Sequence, residues 1–461
     1  IKATCMKNQN ADSATIFTRI ANLPTLTEHT FLRYFSFVAL YMAQGIPEGM
    51  TFFGIPALLA MNGNSAIEIG GYLAVVGLPW SFKIVIAPLM DRFTFLPMGR
   101  RRPWVLLGQL GLMCSFIALA FVNDPLNNLS ALTAVAFCIS FFGAFQDVAT
   151  DGMAIDVIPT EQQARANGLM WGSKTIGISL SLVSGTWLVH QYGFSTALLT
   201  LAFVVCMIML VPLLLRERPG ENHLPWTVGS VSSKSDEIQA ESWSDIFKSL
   251  FKVFFLPSSI LMGIAVFLIH IGIGLMDALL PVFTIQGAGW TDTDFAEVFS
   301  TTNIIAGLAG MLIGGYLADR FGKKRMMTVY LFGIIMLMVV MVSAKTWWAD
   351  GAVVAGFIGA YYVLEVFLSI AIFATGMQLC WNRVAATQFT LYMTIANLGR
   401  SAGAALLGPM RENYPWEYLI LSIAGFALAM GILVQLLRPK SHLLRLDVLE
   451  SNYLEKVKPF K

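Results

Sequence analysis

The sequence predicts an all-α multi-pass membrane protein, with twelve transmembrane helices in two pseudo-symmetric six-helix bundles. Three observations carry that prediction. Of the 461 residues, 56% are apolar and only 13% are charged, whereas soluble chains carry about 25% charged residues. The apolar residues fall into twelve runs, near 31–61, 67–88, 104–123, 129–157, 166–190, 194–215, 258–286, 293–318, 326–346, 350–382, 386–410 and 415–437. Each is long enough to cross a hydrocarbon core of about 30 Å. Finally, the loop after helix 2 reads Asp91-Arg92-Phe93 and then Gly99-Arg100-Arg101-Arg102, and the loop after helix 8 reads Asp319-Arg320-Phe321-Gly322-Lys323-Lys324-Arg325. An Asp-Arg-Phe, a Gly and three cations at matching places imply two homologous halves.

Charge distribution sets the expected topology. With Arg33, at the very start of helix 1, counted with the N-terminal tail, all but five of the 30 Lys and Arg fall in the terminal tails or in the loops that follow even-numbered helices. The exceptions are Lys83, Lys174 and Arg400, inside helices, and Lys345 and Arg411, on the opposite side. Positive residues stay cytoplasmic, so both termini are expected inside a cytoplasmic or inner cell membrane. The chain then divides into a tail (1–30), a first bundle (31–215), a linker (216–257), a second bundle (258–437) and a tail (438–461). Cys114, Cys138, Cys206 and Cys380 lie within apolar runs and only Cys5 in a tail, so no disulfide framework is expected. The chain begins at Ile1 and no cleavable signal is expected before helix 1.

Helix 1 contains Gly45-Ile46-Pro47, flanked by Gln44 and Glu48, and proline predicts a break there. Broken helices at mid-depth line binding cavities in many transporters. Helix 2 carries Lys83. Helix 4 holds the polar stretch Gln146-Asp147-Val148-Ala149-Thr150-Asp151, followed by Asp156. Carboxylates are expensive in hydrocarbon, and inside a membrane helix they mark an ion or substrate path. Asp147 and Asp151 are four apart and share a helix face. Helix 5 carries Trp171 and Lys174. Residues 216–241 read as a disordered linker, and Trp243, Ile246, Phe247, Leu250, Phe251 and Phe254 form the apolar face of an amphipathic surface helix. In the second half, His270 reads as a packing residue and Asp277 as a residue near the outer end of helix 7. Helix 10 has Tyr361, Glu365 and Gln378, and helix 11 has Arg400. The rows Ala306, Gly310, Gly314 and Gly399, Gly403 let helix backbones approach closely.

The paired loops resemble the signature of the major facilitator superfamily, a likeness covering residues 31–437. It implies two bundles rocking about a central cavity. Within the superfamily the chain resembles the AmpG-like muropeptide permeases, grouped with acetyl-coenzyme A transporters. That likeness rests on Lys83 before Pro88-Leu89-Met90-Asp91-Arg92, on Gln146-Asp147 with Asp151 and Asp156, on Ala386-Thr387-Gln388-Phe389, and on Gly399-Arg400 with Gly408-Pro409. Gln44-Gly45-Ile46-Pro47-Glu48 also looks like certain siderophore importers.

The expected function is therefore proton-driven, alternating-access import of a polar or anionic organic solute, such as a muropeptide-like cell-wall fragment. A siderophore importer and a transporter-like membrane sensor are the alternatives. No metal-binding His pair, Gly-x-Ser-x-Gly elbow or phosphate-cradling loop points to an enzyme. The expected partners are the solute and the bilayer, with no nucleic acid and no cofactor beyond the proton gradient, and the chain is expected to work as a monomer. Lys83 is expected to pair with Asp147 or Asp151, with Glu48 as a further coupling carboxylate. Gln44, Lys83, Gln146, Trp171, Lys174, Tyr361, Glu365, Gln378 and Arg400 are the expected solute-binding residues. A gate is expected from Asp91, Arg92, Arg100, Arg101, Arg102, Asp156, Asp319, Arg320 and Lys323, whose contacts form when the cytoplasmic side shuts.

Overall fold

In hydrocarbon every backbone N–H and C=O needs an internal partner, so a long apolar run has little choice but to be helical. The computed structural model describes residues 25–227, 243–381 and 384–457, and among these it contains helices and no strand. The first crossing is α1 (Thr30–Glu48), a π-helical stretch (Gly49–Gly54) and α2 (Ile55–Met61). The second is α3 (Ala66–Gly77), a 3-10 stretch (Leu78–Phe82) and α4 (Lys83–Arg92). Next come α5 (Arg102–Ala120), α6 (Leu129–Val157), α7 (Thr160–Tyr192) and α8 (Phe194–Leu214), which complete the first half. After α9 (Trp243–Phe254), the second half contains α10 (Pro257–Val282), α11 (Asp292–Ala309), π-helical Gly310–Gly314, α12 (Gly315–Phe321), α13 (Lys323–Ser343), α14 (Gly351–Gln378), α15 (Ala385–Asn413) and α16 (Trp416–Leu436). Among the described residues, nine crossings are long and apolar enough to span a membrane by composition alone. The other three, α1 with α2, α7 and α15, carry Glu48, Lys174 and Arg400.

Three local expectations need correction. The first helix does not break at Pro47, because α1 continues through it and the irregularity is the π-helical stretch that follows. A π turn widens the ladder and leaves room for a ring with no N–H, and it is a common device at functional sites. The start of the linker is ordered: the backbone N–H groups of Arg100, Arg101 and Arg102 donate to the carboxylate of Glu217. Residues 228–242 lie outside the described residues. Part of the C-terminal tail forms a helix, α17 (Pro439–Val457), in which Glu450 accepts a hydrogen bond from the Trp381 indole at 2.7 Å.

Glycine sets the closest approaches between helices. A Cβ on Gly45 would fall 2.6 Å from Ile178 N, which lets α1 and α7 touch, and one on Gly399 would fall 2.6 Å from Phe267 O, which draws α15 onto α10. The loop glycines Gly99 and Gly322 both have positive φ, 99° and 89°. That conformation suits glycine alone among common residues, and it recurs at the same place in the two repeated loops.

The end carrying those loops is called the basic end here, and the opposite end the far end. At the far end, Gln286 donates to Ala60 O and Asn64 O, and His190 bonds Asp292 at 2.8 Å. At mid-depth, Ser179 and Ser300 exchange hydroxyl-to-carbonyl bonds, and Asn397 donates to Trp80 O. These bonds between the halves lie at the far end and at mid-depth. The cleft between the halves opens toward the basic end, where Asp151 and Trp171 are solvent-exposed.

Candidate functional site

A charge buried in a membrane protein needs a partner, so the buried ions locate the site. In the first half, Lys83 at the start of α4 forms an ion pair with Asp147 on α6. Both side chains are buried. The 3-10 stretch before α4 places Trp80 beside them, with the Lys83 Nζ 4.8 Å and the Lys174 Nζ 5.0 Å from the indole centroid. A cation over an aromatic face is attracted by its quadrupole. Lys174 pairs with Glu48 at 2.6 Å and lies 5.3 Å from the Trp171 ring. Asp151, one turn along α6 from Asp147, accepts a hydrogen bond from the Tyr41 hydroxyl. Among the described residues it makes no ion pair. Gln146 donates to Leu40 O at 3.1 Å. Gln44 is fully buried, and neither amide atom has a partner among the described residues.

The second half answers with one cation. Arg400 on α15 pairs with Asp277 on α10 at 3.2 Å, and the Tyr362 hydroxyl donates to the same carboxylate at 3.4 Å. Tyr361 packs edge-on against Tyr362 with ring centroids 5.4 Å apart, and Glu365 accepts from Ser369 at 3.0 Å. Asp277, Glu365 and Glu48 all act electrostatically on Arg400. Asn397, about one turn before Arg400, ties α15 to Trp80 of the first half by a hydrogen bond.

Several expected site residues are placed elsewhere. Gln378 is exposed at the basic end of α14, away from the central cluster. Lys83 pairs with Asp147 and not Asp151. Asp277, read from the sequence only as a residue near the outer end of helix 7, is the ion partner of Arg400. Tyr41, Trp80, Asp277, Tyr362 and Asn397 are the members that sequence reasoning left out. For the aromatic ones the sequence carries no signal, since a Tyr or Trp in an apolar run reads as core. Asp277 had one, a lone carboxylate in a membrane helix.

The expected gate is also redrawn. Arg100 and Arg101 lie 3.3 and 3.5 Å from Asp156, within the first half and with the basic end open. These pairs therefore do not report closure. Arg102 is buried, donating to the carbonyls of Pro212, Leu213, Asn222 and His223. Arg320 donates to the Tyr316 hydroxyl at 2.7 Å and Lys323 to Ala374 O at 3.2 Å, while Arg92 is exposed. The side chains of Asp91 and Asp319 lie outside the described residues. Burial pushes the Glu217 carboxyl up from its ordinary value, although backbone N–H groups of Arg102 and Arg101 oppose the shift. Burial and the neighbouring Glu217 charge push Glu221 up to about 7.

Comparison with known proteins agrees with this architecture. The family model described as Major Facilitator Superfamily matches residues 34–404. The anhydromuropeptide permease of Escherichia coli (strain K12) is 25% identical over 399 residues, covering 84% of this chain and 76% of the permease. An uncharacterized protein of Haemophilus influenzae is 24% identical over 412 residues, covering 83% of this chain and 91% of that protein. Among solved structures, the nucleoside transporter NupG superposes with a TM-score of 0.66 at 14% identity, over 88% of this chain and 98% of NupG. At that identity the likeness shows the fold alone. With two six-helix halves, the recurring basic loop and a polar cluster shared across the cleft, the chain belongs to the Major Facilitator Superfamily and is a membrane transporter, not an enzyme.

Proposed function

We propose that this transporter imports a polar, anionic solute of the muropeptide class in symport with protons, and that the basic end faces the cytoplasm. The observation that carries the reading is the charge balance of the central cluster. Five carboxylates (Glu48, Asp147, Asp151, Asp277 and Glu365) face three cations (Lys83, Lys174 and Arg400). The carboxylates outnumber the cations by two, so an anionic solute meets a cluster of net negative charge unless a resident carboxylate is neutralised. A proton does that. Asp151 is the assigned carrier, because protonating it relieves repulsion from Asp147 without breaking an ion pair. Trp171, exposed in the cleft, supplies a face on which a sugar ring stacks, and Lys174 and Arg400 offer charge-assisted hydrogen bonds to the solute's carboxylates. The similarity to the anhydromuropeptide permease supports the solute class.

Uptake into proteoliposomes tests the proposal. An inward-directed proton gradient should accumulate labelled anhydromuropeptide saturably, and siderophores should not compete. Asp151→Asn should abolish gradient-driven accumulation while leaving solute exchange intact. Full accumulation by that variant would remove Asp151 from coupling, and uptake indifferent to the gradient would remove proton symport altogether.

A further inference from the structure

A groove of about 800 Å³ lies outside the central cluster, at the basic end of the second half. Lys323, Lys324 and Arg325 reach it from the first turn of α13, Lys440 from the first turn of α17, and Gln378 and Gln435 add neutral polar groups. The Lys323 Nζ donates to Ala374 O at 3.2 Å, and the Lys324 Nζ donates to Gln435 O at 2.8 Å and Leu437 O at 3.1 Å. These carbonyls belong to the ends of α14 and α16, where the helix dipole is negative. Carbonyls orient the ammonium groups without cancelling their charge. Among the described residues, none of the four cations makes an ion pair.

Retention of positive loops on one side of the membrane explains why cations sit at this boundary. It does not explain why four of them, from two separate helices, converge on one groove. The groove also has an apolar continuation. Val329 and Phe332 on α13, with Ile432 and Leu436 on α16, are exposed along two helices packed side by side. A soluble anion would use the cations alone. A phosphodiester carrying acyl chains uses both the cations and that seam.

We propose that the groove is a binding site for an anionic phospholipid of the leaflet at the basic end, its phosphate among Lys324, Arg325 and Lys440 and its chains along the α13–α16 seam. The site is distinct from the solute site and fixes the start of α17 against α13 and α16. It would make the second half's stability depend on the lipid.

The test uses the full chain purified in detergent. Native mass spectrometry measures lipid retained from equimolar phosphatidylglycerol and phosphatidylcholine, and thermal unfolding is followed with either lipid or with inorganic phosphate. Wild type should retain phosphatidylglycerol preferentially and be stabilised by it. Each cation near an anionic surface contributes about fivefold to such a preference, so K324Q/R325Q/K440Q should lower the ratio by more than about tenfold. K345Q, at the far end, should leave it unchanged. Should the triple variant fail to fold, K440Q alone, at an exposed position, should lower the ratio roughly fivefold. Equal retention of both lipids by wild type, an unchanged ratio in K440Q and the triple variant, or equal stabilisation by inorganic phosphate would each overturn the lipid site.

Discussion

At the residue scale, the cluster is a set of matched charges whose value depends on keeping both partners. Removing one member of a buried pair leaves the other uncompensated and costs about 3–5 kcal/mol, whereas replacing both by apolar groups is often neutral. Lys83 and Asp147 are both buried, so they should follow that rule. Lys83→Met is expected to lower the thermal unfolding midpoint markedly, and Lys83→Met with Asp147→Leu to recover most of the loss; a double variant no more stable than the single would deny the pair. Lys174 and Arg400 differ, because their proposed task is the solute. Lys174→Gln and Arg400→Gln should each weaken binding of an anionic solute by about tenfold or more, as expected for a lost charge-assisted hydrogen bond. Unchanged affinity in equilibrium binding for both variants would leave these cations as structural partners of Glu48 and Asp277.

At the element scale, two devices set where the helices sit. The first is the close approach of α10 and α15, where a Cβ on Gly403 would collide with the main chain of Ile271. Gly403→Val should force the two helices apart and reduce the yield of folded protein, with overpacking costs of about 1–3 kcal/mol or more; a variant with wild-type thermal stability would show that this approach is not tight. The second device clamps the loop after α4 to the segment after α8 through Glu217, Glu221 and Arg102. Glu221 has its folded pKa pushed up to about 7, so the docked state holds a proton that the undocked state releases. The clamp is therefore strongest at acid pH and loosens as pH rises from the ordinary carboxylate range through about 7. Protection factors for the amides of residues 216–222, with the intrinsic pH dependence of exchange divided out, should be higher at pH 6 than at pH 8, and Glu221→Gln should remove that difference. Protection that grows with rising pH would reverse the sign of the argument.

At the scale of the whole molecule, the contacts between the halves are unevenly distributed. Far-end bonds such as His190 with Asp292 and Gln286 with Ala60 O hold one entrance shut while the other stands open. Exposed pairs contribute only about 0–1 kcal/mol each, yet conformers separated by a few kcal/mol are rebalanced by losing a few such contacts. Asp292→Asn with Gln286→Ala should raise the population with the far end open, read as a longer distance between spin labels on α2 and α11. We propose the opposite for the repeated loops: Asp91→Asn, and less strongly Asp319→Asn, should favour the state open at the basic end and slow transport more than they weaken solute binding. Unchanged distance distributions in both sets would mean that neither entrance is governed by these groups.

Composition and run length were enough to determine twelve crossings, the repeated loop and the helices carrying charge. These depend on properties local in the chain: lipid leaves a long apolar run only the helix, and a charge within it stands out. The glycine of each repeated loop and the carboxylates of α6 were legible for the same reason. Partner choice was not. Whether Lys83 meets Asp147 or Asp151 depends on the rotation of α4 after the 3-10 stretch, which Leu78–Phe82 sets. Whether Arg400 meets Glu365 or Asp277 depends on how closely Gly399 and Gly403 bring α15 onto α10. The start of the linker and α17 looked like polar tails because their stabilising partners, Arg102 for one and Trp381 for the other, lie more than sixty residues away in sequence. Ion pairing and helix docking act over a few ångströms in space, and only the packing of the two halves decides which residues come within that reach.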